Sequence, residues 1–471
     1  MSAPRLTRTA PRLDIGIVHL GLGAFYRAHG AVYIEDAIAA SGGAWGILGV
    51  SLQSPTVRDQ LTPQGGTYTA LELTPAGATA RHVQVVQDVL VAREDPQAVL
   101  AAMAGPAVRI VSLTVTEKGY CHNPSTGALN PDHPDIAQDL MQALPVSAPG
   151  FIVRALALRR AAGTPPFTVM CCDNLPNNGR VVRGVVLDLA HRIDPGLADW
   201  IAREGRFPAS MVDRIVPATK PEDIARVESL TGFHDAATVV HEPFRQWVVE
   251  DDFVGNARPD LGAAGVQMVA DVTPFEHTKL RMLNGTHSAL AYLGYLAGHE
   301  TIADTMADPV FAGFANRLWT REIIPALEAP EGVSLPDYAA ALARRYANPG
   351  IRHRTWQIAM DGSQKLPQRI LGTVATNLAQ GRPCPGLMLA VAAWMRYVSG
   401  RDLQGGTIDV RDPLAAQLLA CATASDPVSA LLSLNTVFAA DLAPALLSPL
   451  RAAGHLLETK GARGAIEALV P

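Results

Sequence analysis

Cysteine is scarce in this chain, and its spacing suits neither a metal site nor a disulfide framework. The five cysteines are Cys121, Cys171, Cys172, Cys384 and Cys421. Their number is odd and no two form a CxxC pair, so we expect neither a disulfide scaffold nor a structural zinc site, and a reducing cytoplasm is the predicted location. Cys171 and Cys172 are expected in a buried strand, one on each face.

Strong charge of one sign and long apolar runs are also missing. The formal net charge is −5 and only 18% of residues are charged, with no long basic run, which argues against a nucleic-acid partner. The most apolar run, residues 386–395, is too short to cross a bilayer, and residues 1–14 lack the apolar segment of a signal peptide. A hydrophobic content of 48% fits a compact protein, and 471 residues predict two domains.

A nucleotide-binding pattern opens the chain. A buried strand is predicted over residues 15–20, a glycine turn follows, and a helix is predicted over residues 27–40. Gly21 and Gly23 would let backbone N–H groups approach a pyrophosphate. The third glycine of GxGxxG is absent because Tyr26 stands there. The candidate cofactor-binding residues are Gly21, Leu22, Gly23, Ala24, Phe25 and Arg27.

Further buried strands are predicted over residues 45–52, 108–116 and 166–174, with helical patterns between several of them. Ligands of such sheets bind at the carboxyl ends of the strands, which makes Glu117 and Asn174 candidates. From about residue 276 the patterns are helical. The predicted fold is an α/β Rossmann-like N-terminal domain, residues 1–275, followed by a mostly α-helical C-terminal domain, residues 276–471. Predicted helices of the second domain are 287–297, 303–327, 335–346, 365–380 and 387–397.

Three polar side chains lie close together in KLRMLNGTH, residues 279–287. Lys279, Asn284 and His287 offer a base, a donor for an alkoxide and a group that orients a hydroxyl, which suits alcohol oxidation without a metal. At about 100° per α-helical residue they fall within an arc of about 140°. Leu283 and Leu290 share that arc, so a core helix with incidental polar residues is the alternative interpretation.

Longer motifs extend this pattern along the whole chain. They are GLGAFYRAH at 21–29, SLTVTEKGYC at 112–121, VMCCDN at 169–174, MVDRIVP at 211–217, EPFRQWVVED at 242–251, KLRMLNGTH at 279–287 and RHRTWQIAMDGSQKLPQR at 352–369. Together they resemble the polyol-specific long-chain dehydrogenases, also called the mannitol dehydrogenase family. The resemblance implies a Rossmann-like domain, a helical domain, a cleft between them and metal-independent NAD(P) chemistry.

The resemblance also implies a catalytic role for several residues. Lys279 matches the general base of alcohol oxidation, which returns the proton during ketone reduction. Asn284 and Asn174 match the two asparagines of an oxyanion hole, and His287 matches the histidine that orients the substrate. A lysine in water has a pKa of about 10.4, which burial and a positive nicotinamide would lower and a carboxylate would raise.

Two acidic residues complete the implied catalytic set. Asp213 and Glu117 match acidic residues near the catalytic lysine of the family. The alternatives are a structural ion pair between Asp213 and Arg214 or another cation, and a strand-end cap for Glu117.

Departures from the polyol enzymes concern the substrate. Gln357 stands where mannitol-type members carry an arginine, and Lys118 and Arg281 stand where small residues are usual. Here the chain resembles the branch that reduces D-fructuronate to D-mannonate with NADH. The substrate carboxylate calls for a cation, and a surface ion pair is the alternative for each candidate. The candidates are Lys118, Arg281, Arg352, Arg354, Lys365 and Arg369.

Several alternatives remain open from the residues. The substrate could be a polyol, as in mannitol 2-dehydrogenase or an arabinitol dehydrogenase, or tagaturonate. NAD is the expected cofactor, but SLQSPT at 51–56 offers no acid for the ribose, so NADP is not excluded; Arg58 or Asp59 could serve. A non-catalytic nucleotide sensor and a metal-dependent dehydrogenase are weaker hypotheses. The expected partner is a small molecule, with no nucleic acid or membrane, in a monomer or weak homo-oligomer.

Overall fold

The computed structural model describes residues 3–123 and 126–469, and it divides into two compact units, Met1–Thr273 and Pro274–Pro471. The sequence placed the domain boundary between residues 275 and 276, and its outermost bounds, Met1 and Pro471, lie outside the described residues. The predicted fold class, a Rossmann-like unit followed by a helical one, is confirmed.

The N-terminal unit is built on a parallel five-stranded sheet of order β5-β2-β1-β6-β7. Two three-stranded sheets, β11-β10-β8 and β4-β3-β9, lie beside it in the same unit. The strands are β1 Ile15–Leu20, β2 Gly46–Ser51, β3 Tyr68–Thr74, β4 Gly77–Val83, β5 Val86–Val91, β6 Ile110–Leu113, β7 Thr168–Cys171, β8 Ser210–Asp213, β9 Val239–His241, β10 Gln246–Glu250 and β11 Gln267–Val269.

The central strands of the large sheet are buried along nearly their whole length because both of their faces are covered. β1 has the predicted bounds, while β2, β6 and β7 are shorter than predicted. The strand order reverses at β1, since β2 and β5 lie on one side of it and β6 and β7 on the other. In doubly wound sheets the ligand crevice opens at this reversal, at the carboxyl ends of the strands.

The helices of the N-terminal unit connect these strands. The helix predicted over 27–40 is two helices broken at His29, whose φ of −125° and ψ of −83° are not helical. The α-helices of this unit are α1 Ala24–Ala28, α2 Gly30–Ser41, α3 Thr56–Leu61, α4 Pro96–Ala104, α5 Thr116–Gly119, α6 Pro134–Met141, α7 Ala148–Ala161, α8 Asn178–Ile193, α9 Pro195–Glu204 and α10 Pro221–Thr231.

The C-terminal unit is helical. The α-helices from the boundary onward are α11 Thr273–Thr278, α12 Thr286–Leu296, α13 Ile302–Ala307, α14 Pro309–Arg317, α15 Leu335–Tyr346, α16 Thr355–Ala359, α17 Gly362–Leu366, α18 Gly372–Ala379, α19 Pro385–Tyr397, α20 Ala415–Ala422, α21 Pro427–Leu432 and α22 Ala443–Ala468. The segments Lys279–Gly285, Leu318–Ile323 and Pro367–Leu371 wind as π-helix.

Two of the predicted helices of this unit are wrong in detail. The predicted helix 303–327 is interrupted at Asp308, whose side chain caps the N-terminus of α14 before Pro309. After α14 the chain winds as π-helix over Leu318–Ile323. Residues 365–380 span the π-helical segment that follows Leu366. Apolar spacing alone does not reveal either change, because the hydrophobic side chains stay on the buried side.

Each unit has its own hydrophobic core. The large sheet divides the N-terminal core into two clusters, with Cys171 in one and Cys172 in the other, so the two side chains lie on opposite faces as predicted, although Cys172 directly follows the end of β7 and is not part of the strand. One large cluster fills the helical unit and includes Met282, Trp319 and Trp394. Within residues 3–123 and 126–469, no helix combines the length and apolar character needed to span a membrane.

Candidate active site

The glycine turn after β1 is held tightly at the reversal of the strand order. Gly21 has a φ of +90°, and a methyl group on it would lie 2.2 Å from the carbonyl oxygen of Thr114, which follows β6. Its N–H donates to the Val50 carbonyl of β2 at 2.8 Å. At Gly23 the nearest atom to an added methyl group is 3.8 Å away. The turn therefore requires glycine at position 21 and leaves room beside position 23.

The place of the missing third glycine is filled by a stacked ring pair. The Tyr26 ring lies over the buried imidazole of His19, with centroids 3.3 Å apart. His19 is held by Ser112 Oγ and Thr114 Oγ1, each at 2.8 Å, and burial lowers its pKa to about 3. A methyl group on Gly30 would lie 2.4 Å from the Tyr26 ring. The third glycine of the motif usually permits close packing between helix and strand. In this chain the close contact is instead between Gly30 and the Tyr26 ring.

Arg27 has structural partners. Its side chain is 5% exposed, its guanidinium donates to the Ala237 carbonyl, and it lies over the ring of Tyr68, 5.5 Å from the centroid. Tyr68 in turn donates to the Arg27 carbonyl at 2.6 Å. These contacts place the Arg27 side chain in the core of the N-terminal unit. The assignment of Arg27 to the cofactor therefore stays a prediction.

An aspartate joins the two strand ends that carry Glu117 and Asn174. Asp173 Oδ2 accepts hydrogen bonds from the Val115 N–H at 2.7 Å and from Tyr120 OH at 2.6 Å. These bonds fix the loop before and after α5, which presents Glu117 and Lys118 at the surface. Burial raises the pKa of Asp173. Sequence reasoning did not select this residue, although it is the first polar side chain after β7.

Asp213 ends β8, outside the large sheet. The side chain is buried, and Asn178 connects its strand to the end of β7. Asn178 Nδ2 donates to the carbonyls of Ser210 at 2.7 Å and Asp173 at 3.1 Å, while its Oδ1 accepts from the Ser210 N–H. The neighbouring Arg214 donates to the Ala28 and Glu242 carbonyls. Asn178 thus links the segment after β7, where Asn174 lies, to the first residue of β8, the strand that ends at Asp213.

In the helical unit, Lys279 and Asn284 lie on the π-helical segment and His287 on the first turn of α12, each 6% exposed. The arc of about 140°, which assumes α-helical rotation, is therefore wrong. Two distant side chains donate to carbonyls of the π segment. Trp319 Nε1 donates to Met282 at 2.9 Å and Tyr346 OH to Leu283 at 2.6 Å. π winding is frequent at functional sites, which favours the catalytic interpretation over the incidental one.

Asn284 carries a buried donor. Among the described residues its Nδ2 has no hydrogen-bond partner. A buried amide that lacks a partner costs about 1–3 kcal/mol, so such a group calls for an explanation. A developing alkoxide is a suitable acceptor for it.

His287 is a neutral imidazole. Its ring stacks on Tyr346, with centroids 5.2 Å apart, and lies 4.8 Å from the ring of His353. Burial and then the basic groups His353, Arg369, Arg345 and Lys365 hold the pKa of His287 well below its ordinary value. At neutral pH it can therefore accept or donate one hydrogen bond to a hydroxyl without changing charge.

The π segment Lys279–Gly285 packs closely against another π-helical segment, Pro367–Leu371, at Gly285. A methyl group on Gly285 would lie 2.5 Å from the carbonyl oxygen of Arg369. We expect Gly285→Ala to lower the free energy of unfolding by about 1–3 kcal/mol, because one of the two backbones must move. It should also lower turnover, since Asn284 moves with the segment.

Gly313 is the matched control. It lies inside α14, and a methyl group there would meet nothing within 4 Å, so Gly313→Ala should stabilise the protein by about 0.4–1 kcal/mol. Urea unfolding of both variants measures the difference. Equal stability of the two variants would show that the close approach at Gly285 is unimportant.

Three of the basic residues predicted to bind a substrate carboxylate contact other groups of the helical unit. Arg281 Nη1 donates to the Ala326 carbonyl at 3.0 Å. Arg352 and Arg354 both lie 3.5 Å from Glu300 and are mostly exposed. These three therefore have structural partners, and their substrate role stays a prediction.

Three other basic side chains, Lys365, Arg369 and Arg345, lower the pKa of His287. Lys365 Nζ donates to the Met360 carbonyl at 2.5 Å, and Arg369 Nη1 lies 3.3 Å from Ser288 Oγ. Arg345, which the sequence did not single out, precedes Tyr346 in α15 and is buried.

A possible metal-ligand group occurs in the N-terminal unit, although the cysteine spacing predicted none. Ligand atoms of Cys121, His133 and Asp135 lie within 4.8 Å of one another. The chain between α5 and α6 folds back and brings them together, which CxxC spacing cannot show. His133 Nδ1 already accepts from the Asp135 N–H at the start of α6.

Known proteins match both units. The Mannitol dehydrogenase Rossmann domain family matches residues 15–262, and the Mannitol dehydrogenase C-terminal domain family matches residues 271–449. The chain is 47% identical over 468 residues to the D-mannonate oxidoreductase of Escherichia coli K12, covering 97% of this chain and 96% of that protein. It is 41% identical to a mannitol 2-dehydrogenase of Phaeosphaeria nodorum, covering 96% and 80% of the two chains.

A solved structure shares the whole fold. The ternary complex of Pseudomonas fluorescens mannitol 2-dehydrogenase with NAD and D-mannitol has a TM-score of 0.88 and 36% identity to this chain, covering 99% of this chain and 96% of that one. A Rossmann unit with a glycine turn, joined to a helical unit that carries lysine, asparagine and histidine, defines an NAD-dependent oxidoreductase acting on CH–OH groups. The chain belongs to the mannitol dehydrogenase family.

Proposed function

We propose that this enzyme reduces the keto group of D-fructuronate to give D-mannonate, reversibly and with NADH, as a cytoplasmic step of hexuronate catabolism. The observation that carries the proposal is the set of basic side chains around His287, which suits a substrate with a carboxylate. The 47% identity to a D-mannonate oxidoreductase supports the same substrate. Reduction of fructose to mannitol is the second candidate, favoured by the likeness to the complex with D-mannitol.

The glycine turn fits the nicotinamide cofactor. Backbone N–H groups of Ala24 and Phe25, at the start of α1, would hold the pyrophosphate, because Gly23 leaves open space where a side chain would stand. Bound NADH supplies the hydride for the carbonyl carbon. No carboxylate follows β2 directly, and Asp59 and Glu94 both pair with Arg58, so use of NADPH is part of the test below.

The remaining chemistry belongs to side chains of this chain. Lys279, as an ammonium, gives its proton to the carbonyl oxygen as the alcohol forms, and in the reverse direction the amine takes that proton back. Asn284 Nδ2 donates to the developing alkoxide, and Asn174 is proposed as the second donor. His287 orients a substrate hydroxyl. Asp213 and Glu117 are proposed to tune the protonation of the lysine.

Initial rates across substrates test this function. We expect kcat/KM with NADH to be about 10–100-fold higher for fructuronate than for fructose, since a charge-assisted contact to the carboxylate is worth about 1.5–3 kcal/mol. Tagaturonate and the reverse reactions with mannonate and mannitol are measured in parallel, with NADH and NADPH compared. Higher activity on fructose would establish a polyol enzyme, and NADH binding without turnover of any ketose would indicate a sensor.

The same assay tests whether turnover needs a metal ion. We expect rates to be unchanged by a strong chelator and by Cys121→Ser, because no step above needs a metal and Cys121 lies outside the proposed chemistry. Loss of activity with the chelator, restored by zinc in the parent enzyme but not in Cys121→Ser, would assign the Cys121–His133–Asp135 group to catalysis.

A further inference from the structure

The chain between α5 and α6 folds back on itself and returns to Cys121. The Asn130 N–H donates to the Cys121 carbonyl at 2.8 Å, and a β-bridge joins His122 to Leu129. The His133 N–H then donates to the Asn130 carbonyl at 3.2 Å. These backbone bonds bring the first residues of α6 next to the cysteine.

Three side chains of different chemistry meet at this place. One ligand atom of each of Cys121, His133 and Asp135 lies within 4.8 Å of the other two, and no other such group occurs among the described residues. Cys121 is 2% exposed, whereas His133 and Asp135 are half-buried. The thiol therefore lies on the inner side of the group, and the imidazole and carboxylate lie nearer to solvent.

The carboxylate and the imidazole can both take a further ligand. Within the part of the chain that the structure describes, the Asp135 carboxylate has no hydrogen bond and no ion pair. His133 caps α6, because its Nδ1 accepts from the Asp135 N–H at 3.3 Å. An imidazole has a second ring nitrogen, so the cap leaves His133 able to bind a metal.

The set of donors selects the kind of metal. Magnesium and calcium prefer oxygen ligands only, whereas a thiolate, an imidazole and a carboxylate together suit zinc. Tetrahedral ligands at about 2.0–2.3 Å from zinc are about 3.3–3.8 Å apart, so side-chain rotations that move each atom by about 1 Å would complete the set. Three protein ligands leave one coordination position for water.

We propose that Cys121, His133 and Asp135 bind a zinc ion that fastens the start of α6 to the loop after α5. As the sulfur–zinc bond forms, the thiol gives its proton to solvent, and zinc keeps its oxidation state. The ligands come from two segments of the N-terminal unit, so the bound ion stabilises the folded chain. This inference does not depend on which substrate the enzyme reduces.

Metal binding to the full-length protein tests the proposal directly. The protein is stripped with a chelator and titrated with zinc or cobalt(II). We expect about one tightly bound ion per chain, and the cobalt form should show a thiolate-to-cobalt charge-transfer band. Zinc at about 100 times its dissociation constant should raise the midpoint of thermal unfolding by roughly 4–8 °C.

Two variants remove single ligands. Cys121→Ser and His133→Asn should each lower the zinc affinity at least about 100-fold, and the charge-transfer band should be lost in Cys121→Ser. Asparagine is itself a good N-cap, so metal-free His133→Asn should melt within about 2 °C of the metal-free parent. Cys421→Ser is the matched control, because it changes a half-buried cysteine outside the group and should bind zinc as the parent does.

Each outcome supports or contradicts the site. Zinc that binds no more tightly to the parent than to Cys121→Ser would overturn it, as would a cobalt complex without the thiolate band. If His133→Asn destabilises the metal-free protein and leaves zinc affinity unchanged, the histidine is only a helix cap and the site is wrong. Should Cys121→Ser not fold, the zinc affinity of His133→Asn and the spectrum of the cobalt-loaded parent decide.

Discussion

Lys279→Met lowers kcat with fructuronate by at least about 10³-fold, while NADH still binds, if the lysine is the acid that protonates the new alcohol. Proton transfer by a positioned side chain contributes about 10²–10⁴-fold, and methionine fills a similar volume without a proton. The side chain is 6% exposed on the π-helical segment, so bulk water is a poor replacement for it. Stopped-flow reduction and fluorescence titration of NADH measure the two properties separately.

Two further lysine variants define the role more closely. Lys279→Arg keeps the positive charge, but a guanidinium does not deprotonate near neutral pH, so this variant should be almost as slow as Lys279→Met. Lys460→Met changes an exposed lysine of α22 and should behave as the parent enzyme. A Lys279→Met variant within ten-fold of the parent rate, with the parent pH profile, would remove the lysine from the chemistry.

Asn284→Asp is the second variant with a large expected effect. The change keeps the shape of the side chain but replaces the buried Nδ2 donor by an oxygen, which would repel a developing alkoxide. Loss of one oxyanion-hole donor typically costs about 10²–10³-fold in rate. We expect a loss of at least that size in kcat, with little change in the binding of NADH.

Asn377 supplies the comparison. It is also buried, in α18 of the same unit, but its Nδ2 already donates to the Glu322 carbonyl at 2.7 Å. Asn377→Ala should cost about 1–3 kcal/mol of stability and leave the turnover of the folded enzyme unchanged. If Asn284→Asp instead loses stability and keeps its turnover, the buried amide is structural.

Much of the fold could be predicted from local patterns. β1 and α15 have the bounds read from the sequence, because a buried parallel strand is mostly apolar and a helix start is marked by Ser334 and Pro336. The predicted helix over 27–40 missed the break at His29, since the apolar spacing continues across it.

The candidate site was predictable in part. The motif spacing selected Lys279, Asn284 and His287, and the structure finds all three buried on consecutive helical segments. It did not select Asp173, Arg345 or His353. Asp173 and His353 lie inside two of the quoted motifs without an implied role, and Arg345 lies outside all of them. Their importance depends on contacts with residues far away in the chain, such as the hydrogen bond from Val115 to Asp173, which is 58 positions further on.

The sequence by itself determined the class of fold and the kind of chemistry. The glycine turn after an apolar strand, the helical second half and the set of lysine, asparagine and histidine are properties of short segments. Only the tertiary structure decided the helical winding, the burial and the hydrogen-bond partners of these groups. The π winding at Lys279 takes donors from Trp319 and Tyr346, which follow their acceptors by 37 and 63 residues, and Arg369 reaches Ser288 from a helical segment 81 residues further along the chain. Such partners are set by how the helices pack, and helix packing leaves no local signal in the sequence.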